Sequence, residues 1–144
     1  MDERLTIILA LKGRHNFTDR WLKYANINLS KFKILVADGS ENDEKYLFDE
    51  NKYPNLDIKL RDFPADRDIS FYVRKLLSSS NIIQTKYILY ADNDDFMVEE
   101  EIINLLNFLD NNEAYVAARG EIYDFSIDSF GETYGKVLGL KKFI

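Results

Sequence analysis

Three carboxylates and an amide follow one another at Asp92-Asn93-Asp94-Asp95, directly behind the apolar run Tyr87-Ile88-Leu89-Tyr90-Ala91. Neighbouring carboxylates repel. At the end of a buried strand such a cluster survives only where a cation, a proton or a ligand's polar groups relieve it. If Asp92 and Asp94 continue the extended geometry of their strand, their side chains point the same way and can share one partner. A hard divalent cation, Mn²⁺ or Mg²⁺, fits them. It takes oxygen ligands, commonly one or two of them protein carboxylates, and completes its shell with water and substrate phosphates. A plainer role is also open, because Asp and Asn behind strands form turns and cap helices. Asp95, four residues before a helical segment beginning at Glu99, is a candidate cap.

Two further polar groups follow strand-like runs: Lys12-Gly13-Arg14-His15 and Asp38-Gly39-Ser40. Lys12 and Arg14 can be phosphate ligands or surface charges. His15, the single histidine, reads as a solvated loop residue. Asp38 is either a turn former or a ligand-facing acid. Arg74 lies within a helical segment, where an ion-pair role is the ordinary one, and Tyr87 and Tyr90 read as packing residues.

The elements that would position these groups alternate. Leu5 to Leu11 and Phe32 to Ala37 are continuous apolar runs of strand length, the pattern of strands covered on both faces. Between them Trp21, Leu22, Tyr24, Ala25 and Leu29 form the apolar side of a helix, with Asn16 or Thr18 as its cap. Glu41 to Asn51 reads as a short helix. Leu56 to Phe63 alternates with period two, as at a sheet margin. Ser70 caps a helix carrying Phe71, Val73, Leu76, Leu77 and Ile82, which leads into the Tyr87 strand. Glu99 to Leu109 is helical again, and Ala114 to Ala118 reads as a fifth strand. Ile122 to Ile127 alternates like a strand, after which Gly131, Gly135 and Gly139 interrupt the pattern and Lys142-Phe143-Ile144 shows no finishing element. The order βαβαβαβαβ calls for an α/β fold, a mostly parallel Rossmann-like sheet flanked by helices. In such sheets ligands bind at the carboxyl ends of the strands, where all three polar groups fall.

Composition narrows the partners. The 144 residues carry 25 acids against 19 bases, a net charge of -6, which disfavours a nucleic-acid backbone. The absence of cysteine removes disulfides and zinc-thiolate sites. No apolar stretch approaches the roughly 18 residues of a membrane span, and the N-terminus lacks the pattern of a signal peptide, so a cytoplasmic protein of one domain, residues 1 to 144, is expected.

In their order, LTIILALKGRHNF, ILVADGS, a helix with Arg74, and YILYADNDDFM resemble the nucleotide-binding half of family 2 glycosyltransferases of the GT-A fold, over residues 5 to 120. The resemblance implies a divalent metal and a nucleotide-diphosphate sugar, of the uridine type by preference, with a sugar, lipid or protein acceptor. It implies nucleotide contacts from Leu11 and Arg14 in the first loop, base contact from Asp38, ribose and metal-diphosphate binding by Asp92 and Asp94, with Asp94 the direct metal ligand, and a role for Arg74 as the helical arginine of that family. The first loop, Leu-Lys-Gly-Arg-His, departs from the family pattern, and the acceptor-binding part is short or missing. Glu121 and Asp124 are then the downstream candidates for a catalytic base. A nucleotide- or metal-binding module without turnover, or a fragment of an enzyme, fits the same residues. A haloacid-dehalogenase-type phosphatase fits less well, because its Asp-x-Asp follows the first strand, not the fourth.

Overall fold

The structure, a computed structural model, describes residues 1–127 and 137–143. The chain forms two compact units, Met1–Glu100 and Glu101–Ile144.

The first unit is built on a four-stranded, all-parallel sheet of β1 (Leu5–Leu11), β2 (Lys33–Asp38), β3 (Asp57–Asp62) and β4 (Tyr87–Asp92) in the order β3-β2-β1-β4. Every residue of β1 is buried, as its unbroken apolar run requires. The edge strand β3 exposes its last four residues, in keeping with its alternating sequence. Chain direction reverses once. β1, β2 and β3 are laid down outward on one side, and the chain then crosses back to place β4 against the other side of β1. Right-handed crossovers in opposite directions put α1 (His15–Asn28) and α2 (Ile69–Ser80) on opposite faces. Under α2, Leu76 packs with Phe63, Ile83 and Ile88 over Ile8, Leu35 and Ala37. Trp21, Leu22 and Ala25 of α1, with Leu29 just after it, are fully buried. The point of reversal lies between β1 and β4, which is where an open α/β sheet leaves a crevice at its carboxyl edge.

Local chemistry moves several boundaries. α1 begins earlier than a cap at Asn16 or Thr18 would allow. Gly13 and Arg14 both take left-handed backbone (φ 60° and 58°), turn the chain within two residues, and leave Arg14 as an N-cap without a side-chain bond. Asp68, not Ser70, caps α2, its carboxylate accepting from the Ser70 and Phe71 amides. The helix expected over residues 41 to 51 is replaced by two single 3₁₀ turns, Asn42–Glu44 and Glu50–Lys52. Tertiary bonds claim this segment. The Tyr46 amide donates to Asp38 Oδ2 (2.7 Å), Lys45 Nζ donates to the carbonyls of Asp38 and Phe63, and the hydroxyls of Tyr46 and Tyr53 both donate to Asp19 Oδ1 of α1. A continuous helix cannot present all these groups at once.

The second unit takes most of α3 (Glu99–Asn111), with Ile102 and Leu106 buried, and a two-stranded antiparallel sheet of β5 (Ile122–Ile127) and β6 (Val137–Phe143) with a register shift at Ser126 and Ile127. The strand expected at 114 to 118 is irregular instead. Tyr115 and Val116 are 58% and 98% exposed, and a short apolar run without a ladder partner has nothing to hold it extended. β6 was hidden from the sequence by Gly139, while Gly131, Gly135 and Ile144 lie outside the described residues. Among the described residues no helix is long and apolar enough to cross a membrane.

Burial pushes the phenols of Tyr46 and Tyr53 above the ordinary value of 10.0, and for Tyr46 the bond to Asp19 adds to the rise. The folded chain therefore keeps these protons where the unfolded chain releases them. The stability they contribute is complete below pH 10 and is lost as pH rises beyond it. Urea midpoints are expected to hold level up to about pH 9 and then to fall. Tyr46→Phe should cost about 1–2 kcal/mol at neutral pH and flatten the alkaline decline.

Candidate functional site

The carboxyl ends of β1 and β4, the 62–68 loop and the first half of α2 enclose an open cleft of about 620 Å³ within the first unit. It is lined by Leu11, Lys12 and Arg14 from the first loop, by Asp66, Asp68, Tyr72 and Lys75 from the loop and α2, and by Asp92, Asn93 and Asp94 behind β4. Four carboxylates thus face three cations.

The floor is a buried ion pair. Lys75 and Asp66 are both 3% exposed, and Lys75 Nζ bonds Asp66 Oδ2. The same ammonium donates to the Leu11 carbonyl at 2.8 Å and lies 5.2 Å from the centre of the Tyr72 ring. The Leu11 carbonyl also accepts from the Gly39 amide (3.0 Å), and the Asp66 amide donates to the Gly39 carbonyl (2.8 Å). Asp66 lies so close over this backbone that a Cβ at position 39 would stand 2.5 Å from its carboxyl atoms. Glycine is required there by contact, not by backbone angle. Ser40 Oγ accepts from the Gly13 amide at 2.7 Å and so joins the two strand-end turns.

The wall behind β4 divides its acids. Asn93 is buried, and its amide donates to Thr18 Oγ1 (3.1 Å) and the Arg14 carbonyl (3.4 Å), which fixes this turn against the start of α1. Asp92 and Asp94 are exposed and line the cleft. Arg14 Nη2 reaches Asp94 Oδ2 at 2.9 Å while its guanidinium lies 4.2 Å from the centre of the Phe17 ring. Tyr72 lines the cleft with Asp92. Burial raises the Tyr72 phenol above 10.0, and the charges of Asp92 and Asp66 push it the same way, so it stays protonated at neutral pH. The Asp95 amide turns back to the Asp92 carbonyl, three residues short of α3. Lys12 Nζ donates to the Asp66 carbonyl at 2.5 Å.

Leu11, Arg14, Asp92 and Asp94 are therefore brought together, and Asp38 and Arg74 are not among the cleft's lining residues. Asp38 is fully buried, with one carboxylate oxygen accepting from the Ser40 amide (2.8 Å) and the other from the Tyr46 amide. It holds the 38–46 turn in shape. Arg74 is exposed, turned back onto Ser70 and the Phe71 ring. His15 bonds the Glu44 carbonyl and meets Tyr46 edge-on, and the Tyr90 hydroxyl bonds Ser80 Oγ on an exposed surface. Glu121 and Asp124 are exposed residues of the second unit, Glu121 accepting from the Tyr123 hydroxyl.

Sequence reasoning passed over Asp66, Tyr72 and Lys75. A helical lysine ordinarily reads as solvated, yet Tyr72, Lys75, Leu76 and Ser79 occupy one stripe at helical spacing, and that stripe faces inward.

As a cation site, the cleft supplies the accessible carboxylates of Asp92 and Asp94, with Asp68 engaged as the cap of α2, and no nitrogen or sulfur ligand. Among the described residues no group of three or more His, Cys, Asp or Glu could hold a metal. Such a donor set suits Mn²⁺ or Mg²⁺ completed by water and phosphate oxygens, and does not suit a closed protein cage.

No protein-family model matches the chain, and no curated protein matches it by sequence. In fold it is similar to the crystal structure of S. aureus TarS 1-349, with a TM-score of 0.58 at 14% identity, over 76% of this chain and 33% of that one. The chain spans about a third of that structure. At this identity the likeness is one of fold alone, a Rossmann-like α/β arrangement.

The contrast between adjacent helical cations is testable by chemical denaturation. Lys75→Met strands a buried carboxylate and should cost about 3–5 kcal/mol. Arg74→Met removes an exposed group and should change stability by no more than about 0.5 kcal/mol.

Proposed function

We propose that the chain is the donor-binding part of a glycosyltransferase, taking a nucleoside diphosphate sugar into the cleft between β1 and β4. The observation that carries this reading is the meeting of Arg14, Asp92 and Asp94 at the reversal point of a parallel sheet whose fold is like that of TarS. Open α/β sheets bind nucleotides at that point. In this reading Asp92 and Asp94 hold a divalent cation, Asp94 as its direct ligand, while Lys12 and Arg14 face the phosphates. The Leu11 backbone, fixed by Lys75 and Gly39, sets the position of the first loop. Asp38 acts through the turn it shapes. A bound Mn²⁺ or Mg²⁺ would offset the charge that develops on the departing diphosphate. Proton removal from an acceptor hydroxyl then falls to a carboxylate outside the cation site, with Glu121 and Asp124 the candidates from the sequence. Uridine diphosphate sugars are the first donors to try.

Binding without turnover is the second reading. It is favoured by the employment of every carboxylate that lines the cleft, Asp66 in its ion pair, Asp68 as a helix cap, and Asp92 and Asp94 in the cation site, which leaves none there to act as base.

Uridine diphosphate with Mn²⁺ should raise the melting temperature, with about 2.7 kcal/mol of stabilisation at ~100 times its Kd. Asp94→Ala should abolish the metal-dependent part. An unchanged melt with every nucleoside diphosphate and metal would exclude the donor site. Release of diphosphate from a panel of nucleotide sugars separates an enzyme from a binding module.

A further inference from the structure

Arg14, behind β1, and Asp94, behind β4, both line the cleft and are joined to each other, although each is assigned a different ligand by the donor-site reading. The pair spans 80 positions of sequence, is 2.9 Å long, and leaves its side chains 48% and 42% exposed. Neither group is trapped. The Arg14 side chain makes no cap bond and, among the described residues, meets Asp94 and the Phe17 ring, while its backbone takes the left-handed conformation that residues with side chains rarely adopt. A divalent cation and a guanidinium drawn to the same carboxylate repel each other, so they compete for Asp94. Arg14 in turn divides its single charge between Asp94 and a phosphate, so a hold on one weakens its hold on the other.

We infer that the Arg14–Asp94 ion pair is a latch that makes cation and diphosphate binding cooperative, and this rests on the donor-site reading. A divalent cation at Asp94 repels the guanidinium from the shared carboxylate, and a phosphate that draws Arg14 over uncovers Asp94. Either ligand breaks the same contact, and the contact is broken only once. The ligand that arrives second therefore binds to a cleft already open, so each raises the other's affinity by the worth of the pair. A half-exposed ion pair is worth about two- to five-fold, and linkage requires the factor to be equal in both directions. The rest of the site does not move in this scheme. Asn93 keeps the turn anchored to Thr18. The latch also keeps the empty cleft from presenting two bare carboxylates side by side.

Three measurements on the whole chain should return the same factor. By Mn²⁺ titration followed as loss of the free-ion electron paramagnetic resonance signal, Arg14→Gln should bind the metal alone about two- to five-fold more tightly than the wild type. By calorimetry, the enhancement of uridine diphosphate affinity by Mn²⁺ should be smaller in Arg14→Gln by that same factor. Asp94→Asn, which frees Arg14 without metal, should bind uridine diphosphate in the absence of Mn²⁺ about two- to five-fold more tightly. Melting curves check that both variants fold, and since both positions are exposed the two variants report independently. Unchanged Mn²⁺ affinity in Arg14→Gln, or an equal loss of uridine diphosphate affinity with and without metal, would overturn the latch and leave the donor site standing. A wild type that binds neither Mn²⁺ nor any nucleoside diphosphate would overturn both.

Discussion

The buried ion pair of Lys75 and Asp66 ties together four pieces of chain that meet at the carboxyl edge of the sheet. Lys75 comes from α2, Asp66 from the loop after β3, Leu11 from the end of β1, and Gly39 from the end of β2. Two charges taken out of water carry a desolvation cost of several kcal/mol each, which their attraction offsets only when further hydrogen bonds complete the geometry. Lys75 meets this condition, with the Asp66 carboxylate, the Leu11 carbonyl and the Tyr72 face around its ammonium. Asp66 meets it less fully, since its Oδ1 has no partner among the described residues. A pair of this kind fixes position more than it adds stability. Its consequence is that the first loop, which carries Lys12 and Arg14, leaves β1 from a rigid point.

With the floor fixed, the cleft's remaining charge is mobile. Asp92 and Asp94 stand in solvent, Asp94 paired with Arg14, and Asp68 is engaged with the start of α2. The carboxylates that pose an electrostatic difficulty in the sequence are thus relieved by water and by Arg14. Relief by exposed groups is weak, however, and a doubly charged cation or a diphosphate competes for the same atoms. Rigid buried charge beneath exchangeable surface charge is the arrangement a binding cleft needs, because the ligand then displaces contacts that cost little to break.

The sheet was legible in the sequence because its strands are defined by burial. LTIILAL and FKILVA have no polar face, and strands of that kind have few alternatives in a chain of this length. The ends of elements were less legible. Asn16, Thr18 and Ser70 are all good capping types, but the backbone turn at Gly13 and Arg14 and the carboxylate of Asp68 decide where the helices begin. The 41–51 segment has helical composition and is held otherwise by bonds to Asp19, Asp38 and Phe63, partners remote in sequence. In the site, the acids behind β4 were visible by type and spacing. Lys75 was not, because whether a lysine points inward depends on which face of α2 meets the sheet. Asp38 shows the reverse case, a carboxylate at a strand end whose oxygens are taken up by its own turn.

The central claim is that nucleotide diphosphate and cation meet at the ends of β1 and β4. Paramagnetic broadening locates a bound ion directly. In a ¹⁵N-labelled protein saturated with uridine diphosphate, substoichiometric Mn²⁺ should erase the amide signals of residues 11–14 and 92–95 first and leave those of β3 and the 46–56 segment sharp. Uniform broadening, or broadening centred on any other part of the chain, would contradict the account.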